Sequence, residues 1–241
     1  MHSDRSLAWD AYVGATRNVI DAANEVSATV VYVSTDWVFD GSRHLSDEAF
    51  PPNPVNFYGV LKTASELVVL ERARRGVVAR VAGVNGTHRA RPQAPRAQDP
   101  GFGYFVATLV DNLSAGKPFT VWESDAINMI ATPSLASECA ALFWRALDRG
   151  VGGILHCCGG EAVTRMELAR QACAVFGLDE DLLQSGPPDP AAVFGLVPYD
   201  TSLDARATAR VLGTDLPSVR ELLVAFRQEL DTGQLQPLSA A

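Results

Sequence analysis

Tyr58-Gly59-Val60-Leu61-Lys62 places a phenol and an ammonium four residues apart. On a helix, positions i and i+4 share a face. An ammonium beside a phenol favours the phenolate and lowers a tyrosine pKa from its ordinary value of about 10. Such a tyrosine can hand a proton to a carbonyl oxygen while hydride reaches the carbon. The lysine can also hold the ribose hydroxyls of a nicotinamide cofactor. With five tyrosines and two lysines in 241 residues, a chance match has a probability of about 0.04, so the pair needs context. Ser34-Thr35 supplies it. These hydroxyls follow Ala28 to Val33 (ATVVYV), a β-branched apolar run that reads as a parallel strand covered on both faces. The carboxyl end of such a strand is where open α/β sheets hold ligands, and a hydroxyl there can bond a substrate carbonyl beside Tyr58. The plainer reading, that Ser34 and Thr35 merely end a strand, stands beside it.

The elements that must carry these residues alternate along the chain. Leu7 to Ala23 has apolar residues at helical spacing. Phe57 to Ala73 is a second helix, and Val77 to Val81 (VVARV) a second buried strand. Gly86 to Gly103, rich in Arg and Pro and without periodicity, reads as a mobile surface loop. Its Arg89, Arg91 and Arg96 read as solvated charge ahead of a diphosphate site. Phe105 to Leu113 and Ser134 to Leu147 read as helices, Pro118 to Trp122 and Gly153 to Cys157 as strands. Thr164 to Phe176 is a helix with Thr164 and Glu167 as a capping box and Gly177 as its stop. Ser185 to Pro190 is a proline-rich connector; Asp204 to Leu212 and Ser218 to Leu230 are closing helices. This rhythm predicts an α/β fold with a parallel sheet.

Composition excludes several classes. Hydrophobic residues make up 47% and charged residues 20%, enough to build a sizeable core in one large or two small domains. A net charge of -8 and a pI near 5.0 argue against a nucleic-acid surface. Cys139, Cys157, Cys158 and Cys173 form no C-x-x-C pair, and His2, His44, His88 and His156 are scattered, so no metal is expected. Asp47-Glu48 reads as solvated loop charge. Met1 to Asp10 carries no apolar leader, and no run approaches the roughly 20 apolar residues of a membrane span. The expectation is a cytoplasmic protein with no membrane partner.

At this point a family resemblance enters. Ser34-Thr35-Asp36-Trp37-Val38-Phe39-Asp40-Gly41 is similar to the S-T-D-Y-V-F-D-G signature of dTDP-4-dehydrorhamnose reductases, members of the extended short-chain dehydrogenase/reductase superfamily. Pro54 to Lys62 (PVNFYGVLK) resembles that family's P-x-N-x-Y-G-x-x-K, and Arg80 to Gly86 (RVAGVNG) its R-x-x-x-V-Y-G. Thr132-Pro133-Ser134, Gly153 to Gly160 and Thr201 to Asp204 resemble later segments in the right order. The resemblance implies Tyr58 as proton donor, Lys62 as its activator and ribose anchor, Thr35 as the carbonyl-binding hydroxyl, and Ser34 beside it in the cofactor site. It implies NADPH or NADH as cofactor and a 4-keto-6-deoxy sugar nucleotide as substrate.

The family's opening strand, Gly-x-x-Gly-x-x-Gly and helix have no counterpart among the 19 glycines. The expected architecture is therefore a Rossmann-type parallel sheet lacking its first βα units, with a small C-terminal α/β substrate domain. Residues 1–83 and 126–160 form the partial dinucleotide-binding domain; 84–125 and 161–241 form the substrate domain. Missing neighbours leave a strand edge open, so aggregation or a homodimer through that edge is expected. Tyr12 stands where the family has Asn, and Asn85 where it has Tyr. A non-catalytic regulatory protein, resembling the beta subunit of methionine adenosyltransferase, is the alternative from another class. A sugar-nucleotide epimerase or dehydratase is the third.

Overall fold

The computed structural model describes residues 4–87, 97–193 and 195–235. Its elements begin with α1 (Arg5–Trp9), which runs through one π turn at Asp10–Gly14 into α2 (Ala15–Glu25). Then come β1 (Val30–Thr35), α3 (Phe57–Arg72), β2 (Gly76–Val81), β3 (Val84–Asn85), α4 (Phe105–Ser114) and β4 (Phe119–Trp122). The chain continues with β5 (Ile130–Ala131), β6 (Ser134–Leu135), α5 (Ala136–Asp148), β7 (Gly153–His156), β8 (Val163–Thr164) and α6 (Arg165–Phe176). It closes with β9 (Leu183–Gly186), α7 (Arg206–Leu212) and α8 (Val219–Thr232). No described helix is long and apolar enough to cross a membrane.

The main sheet is parallel, in the order β1-β2-β7. Side chains alternate along a strand. Val30 and Tyr32 pack with Val78, with Ile20 of α2 and with Val69 of α3. Val31 packs on the other face with Val77 and Ala79, and with Leu142 and Ala146 of α5. Helices thus lie on both faces, as the α/β pattern predicts. A second core joins Phe105 and Leu109 of α4, Val121 of β4, Leu168 of α6 and Phe226 of α8. Beside it, β4 pairs with β9 in parallel, a strand that falls partly in the stretch read as a proline-rich connector. The predicted cover on both faces of β1 is incomplete. Among the described residues only β2 pairs with β1, and Val33 is 45% exposed.

Two buried polar networks tie these layers together. Ser34, Arg80 and His156 stand in register across β1, β2 and β7. Glu66 of α3 receives the Ser34 hydroxyl and both Nε (3.0 Å) and Nη2 (2.7 Å) of Arg80. His156 presents Nε2 to Arg80 at 3.5 Å and Nδ1 to the Asp204 carbonyl at 3.0 Å. Burial, with Arg80 adding to it, pushes His156 down to about 4. The second network centres on Asp36, which receives hydroxyls from Thr35 (2.9 Å) and from Thr201. Burial pushes Asp36 up to about 6, against the pull of those two hydrogen bonds.

Two predictions follow from exposure and from titration. The open edge of β1 is expected to make the chain associate as its concentration rises, and Val33→Lys is expected to weaken that association in light scattering. A monomer at every concentration contradicts this. In the acid range Asp36 and His156 act in opposite directions. The fold keeps the proton on Asp36, so its ionisation costs stability as pH rises from its ordinary 3.8 through about 6. His156 is kept neutral, so its contribution is present above its ordinary 6.5 and is lost as pH falls through about 4. Removing the first arm with Asp36→Asn should raise stability relative to the parent by about 2–3 kcal/mol more at neutral pH than near pH 4. Urea unfolding curves with the same pH dependence in both proteins contradict it.

Candidate active site

Tyr58 and Lys62 are held by the first turns of α3. Asn56 caps the helix, accepting the Gly59 N–H at 2.9 Å. Gly59 itself lies against the turn after β1: a Cβ there would stand 2.4 Å from the Trp37 carbonyl oxygen and 2.7 Å from Pro54 Cβ. Only glycine lets the helix approach this closely, and the approach brings Tyr58 over the end of β1. Tyr58, Lys62 and Glu66 follow at intervals of four and so share one face of α3.

A cleft of about 620 Å³ opens at the carboxyl ends of β1 and β2. Thr35, Asp36, Tyr58 and Lys62 form one wall, and residues 99–104 face them. The opposite wall is part of the stretch read as a mobile surface loop, and here that expectation is corrected. Phe102 is buried, and Arg165 holds the backbone, donating to the carbonyls of Asp99 (3.0 Å) and Gly101 and, through Nε, to that of Asn128 (2.7 Å). A buried guanidinium bonded to carbonyls fixes a glycine-rich segment that composition alone reads as loose. Arg89, Arg91 and Arg96, like His2 and His88, lie outside the described residues.

Thr35, Tyr58 and Lys62 come together on this cleft. The Thr35 hydroxyl donates to Asp36 and accepts the Trp37 N–H at 3.2 Å, and it lines the cleft with Tyr58. Tyr58 meets Trp37 edge-on at 6.1 Å and Tyr12 at 6.3 Å. Strand alternation sends the Ser34 hydroxyl the other way, onto Glu66 in the interior. The ammonium of Lys62 donates to the Val33 carbonyl at 2.6 Å and lies 4.6 Å from the Tyr32 ring centre, against 6.0 Å for Tyr58. Burial lowers its pKa, with Glu66 opposing. Burial pushes Tyr58 up to about 12; the nearby Thr35 hydroxyl opposes this, and the Asp36 charge adds to it.

Several members of the site were not singled out from sequence. Arg80 is a lone charge in the buried run VVARV, a sign that a buried partner must exist. Glu66, four residues after Lys62, was readable as that partner's position on the helix. Tyr12 enters through the π turn, a local change of hydrogen bonding that apolar spacing does not report. The nearest glycine turn at the cleft, Gly101-Phe102-Gly103, leads toward α4, yet the Gly103 N–H is already given to the Asp99 carboxylate at 3.2 Å. An anion is thus present where a phosphate would need that N–H. No cluster of metal-ligating side chains occurs among the described residues.

Comparison with known proteins follows the same lines. Methionine adenosyltransferase 2 subunit beta of Xenopus tropicalis is 28% identical over 219 residues, 89% of this chain and 63% of that protein. The dTDP-4-keto-6-deoxy-D-glucose reductase of Streptomyces niveus is 27% identical over 192 residues, 79% of this chain and 61% of that protein. The chain therefore spans about three fifths of the length of these curated relatives. The fold matches the crystal structure of dTDP-4-dehydrorhamnose reductase from Bacillus anthracis in complex with NADP, with a TM-score of 0.77 at 22% identity, over 93% of this chain and 74% of that one. The family model for the RmlD substrate binding domain matches residues 2–232. With the α/β fold and the Thr35–Tyr58–Lys62 cleft in place, the chain belongs to the RmlD substrate binding domain family.

Proposed function

We propose that this chain carries the proton-donating and substrate-facing part of an NAD(P)H-dependent reductase acting on a 4-keto-6-deoxy sugar nucleotide. The observation that carries the reading is Thr35, Tyr58 and Lys62 together on one cleft at the carboxyl end of a parallel sheet, with Tyr58 and Lys62 on the same helix face. The relatives named as sugar reductases support the substrate class. In this reading Tyr58 donates a proton to the substrate's carbonyl oxygen. Thr35 orients that phenol. Lys62, turned from Val33 toward the cleft, anchors a ribose and stabilises the phenolate. Ser34 acts indirectly, through Glu66. Residues 1–83 and 126–160 form the nucleotide-facing part, and 84–125 with 161–241 the sugar-facing part.

Tyr58 and Lys62 fit the nicotinamide-ribose end of the cofactor, which supplies hydride when bound. In the turn Gly101-Phe102-Gly103 at the cleft, the Gly103 N–H is already held by Asp99. Charge-assisted hydrogen bonds are each worth about 1.5–3 kcal/mol, so two missing ones weaken binding roughly a thousandfold. That same observation favours a second reading, a non-catalytic partner subunit, in line with the methionine adenosyltransferase relatives.

An assay of the purified chain with NADPH and the keto sugar nucleotide separates the two. Expected is substrate-dependent oxidation that saturates only at millimolar NADPH. Tyr58→Phe is expected to lose about 100-fold or more in turnover. Undiminished turnover in Tyr58→Phe contradicts the assigned role. No oxidation at any NADPH concentration contradicts the reductase reading and leaves the partner subunit.

A further inference from the structure

Two carboxylates stand on the cleft, Asp36 on the wall of Tyr58 and Lys62 and Asp99 on the wall that faces them. They differ in what their oxygens accept. Asp36 has both oxygens taken, Oδ1 by the Thr35 hydroxyl and Oδ2 by the Thr201 hydroxyl. Asp99 takes the Gly103 N–H on Oδ1 at 3.2 Å, and no hydrogen bond from the described residues reaches its Oδ2.

The segment is shaped around this side chain. A Cβ on Gly103 would collide with Asp99 Oδ2, and one on Gly101 would stand 3.3 Å from Oδ1. Two glycines thus let the backbone curl against the carboxylate. Arg165 fixes the same segment through the Asp99 and Gly101 carbonyls. Asp99 is therefore held twice, its carboxylate by Gly103 and its backbone by Arg165. Burial pushes the Asp99 carboxyl up, and the Gly103 N–H opposes. A carboxylate partly withdrawn from water, with one oxygen unmatched, calls for a donor.

An ionised carboxylate only accepts, whereas a hydroxyl can donate as well. Asp99 therefore draws hydroxyl groups and repels phosphate. Tyr58 and Lys62, on the facing wall, carry donors matched to ligand oxygens. A sugar ring with a carbonyl and hydroxyls needs both kinds of partner. Of the two cleft carboxylates, only Asp99 has an oxygen left for the hydroxyls.

We propose that Asp99 is a specificity-determining residue that reads a ring hydroxyl of the sugar, accepting its hydrogen bond on Oδ2. The proposal rests on the reductase reading for the substrate class. It places the sugar ring between Tyr58 and residues 99–103, and the diphosphate away from Gly103.

Equilibrium binding by calorimetry, with no cofactor present, tests it. The probes are dTDP-glucose and dTDP, the same nucleotide without the sugar ring. Asp99→Asn keeps an oxygen for the Gly103 N–H and puts an amide NH2 in place of the free oxygen. It should weaken dTDP-glucose about 10-fold, the loss of one charge-assisted hydrogen bond. It should leave dTDP bound at least as tightly as in the parent, because a negative charge has left the cleft. In the parent, one of the dTDP-glucose analogues lacking a single ring hydroxyl should bind about 10-fold more weakly than dTDP-glucose, and Asp99→Asn should erase that difference. Undiminished affinity of Asp99→Asn for dTDP-glucose overturns the proposal. Equal weakening of both probes also overturns it, since that marks a merely structural role. If Asp99→Asn fails to fold, the deoxy analogues on the parent decide alone, and equal affinity for all of them overturns the proposal. Failure here leaves the reductase reading to its own assay, and absence of NADPH oxidation with the hydroxyl preference intact overturns only that reading.

Discussion

The buried ion pair between Glu66 and Arg80 is the constraint on which the rest of the arrangement depends. Both side chains are almost completely withdrawn from solvent, at 2% and 1% exposure. Charges so placed are tolerated only when geometry and extra hydrogen bonds offset their desolvation. The fork of Arg80 meets both oxygens of Glu66, Ser34 adds a hydroxyl, His156 accepts at the third guanidinium nitrogen, and Phe39 lies 5.0 Å away under the cation. Because Ser34, Arg80 and His156 stand in register, one carboxylate from α3 gathers all three strands of the sheet. Any slip of α3 along the sheet would strand a charge.

That anchoring has a consequence for chemistry. Lys62 is one helical turn, and Tyr58 two, from Glu66 on the same face. Fixing Glu66 to the sheet therefore fixes the height of both over the end of β1. The glycine contact at Trp37 closes the other end of this segment, so α3 is pinned at Gly59 and Glu66, with Lys62 between them and Tyr58 next to Gly59. The strand then divides its two hydroxyls by alternation. Ser34 goes to the structural carboxylate Glu66, and Thr35 to the cleft carboxylate Asp36. Two adjacent residues thus face the interior and the cleft separately.

Elements whose signals are local were legible in sequence. The helix from Thr164 carries its capping box with both hydrogen bonds formed, and Gly177 stops it at φ +68°. The apolar runs before Ser34 and around Ala79 are strands in the expected sheet. Thr35, Tyr58 and Lys62 meet because motif spacing and a strand end are both short-range information. What was illegible depends on distant partners. Leu183 to Gly186 is half-exposed and lacks apolar alternation, so only pairing with β4 makes it a strand. Residues 99–103 look like a loop until Arg165, far along the chain, claims their carbonyls. The direction of Lys62 was also hidden, because it depends on the edge of β1 that no described strand pairs, where the Val33 carbonyl accepts from the ammonium.

The central claim is that Glu66 and Arg80 act as one unit. A double-mutant cycle of Glu66→Gln and Arg80→Met, read by urea unfolding at neutral pH, tests it most directly. Each single change leaves a buried charge unpaired and should cost about 3–5 kcal/mol. The double change leaves none, so its cost should be no greater than that of either single change, a coupling of about 3 kcal/mol or more. Single losses that add in the double variant to within about 0.5 kcal/mol would contradict the account.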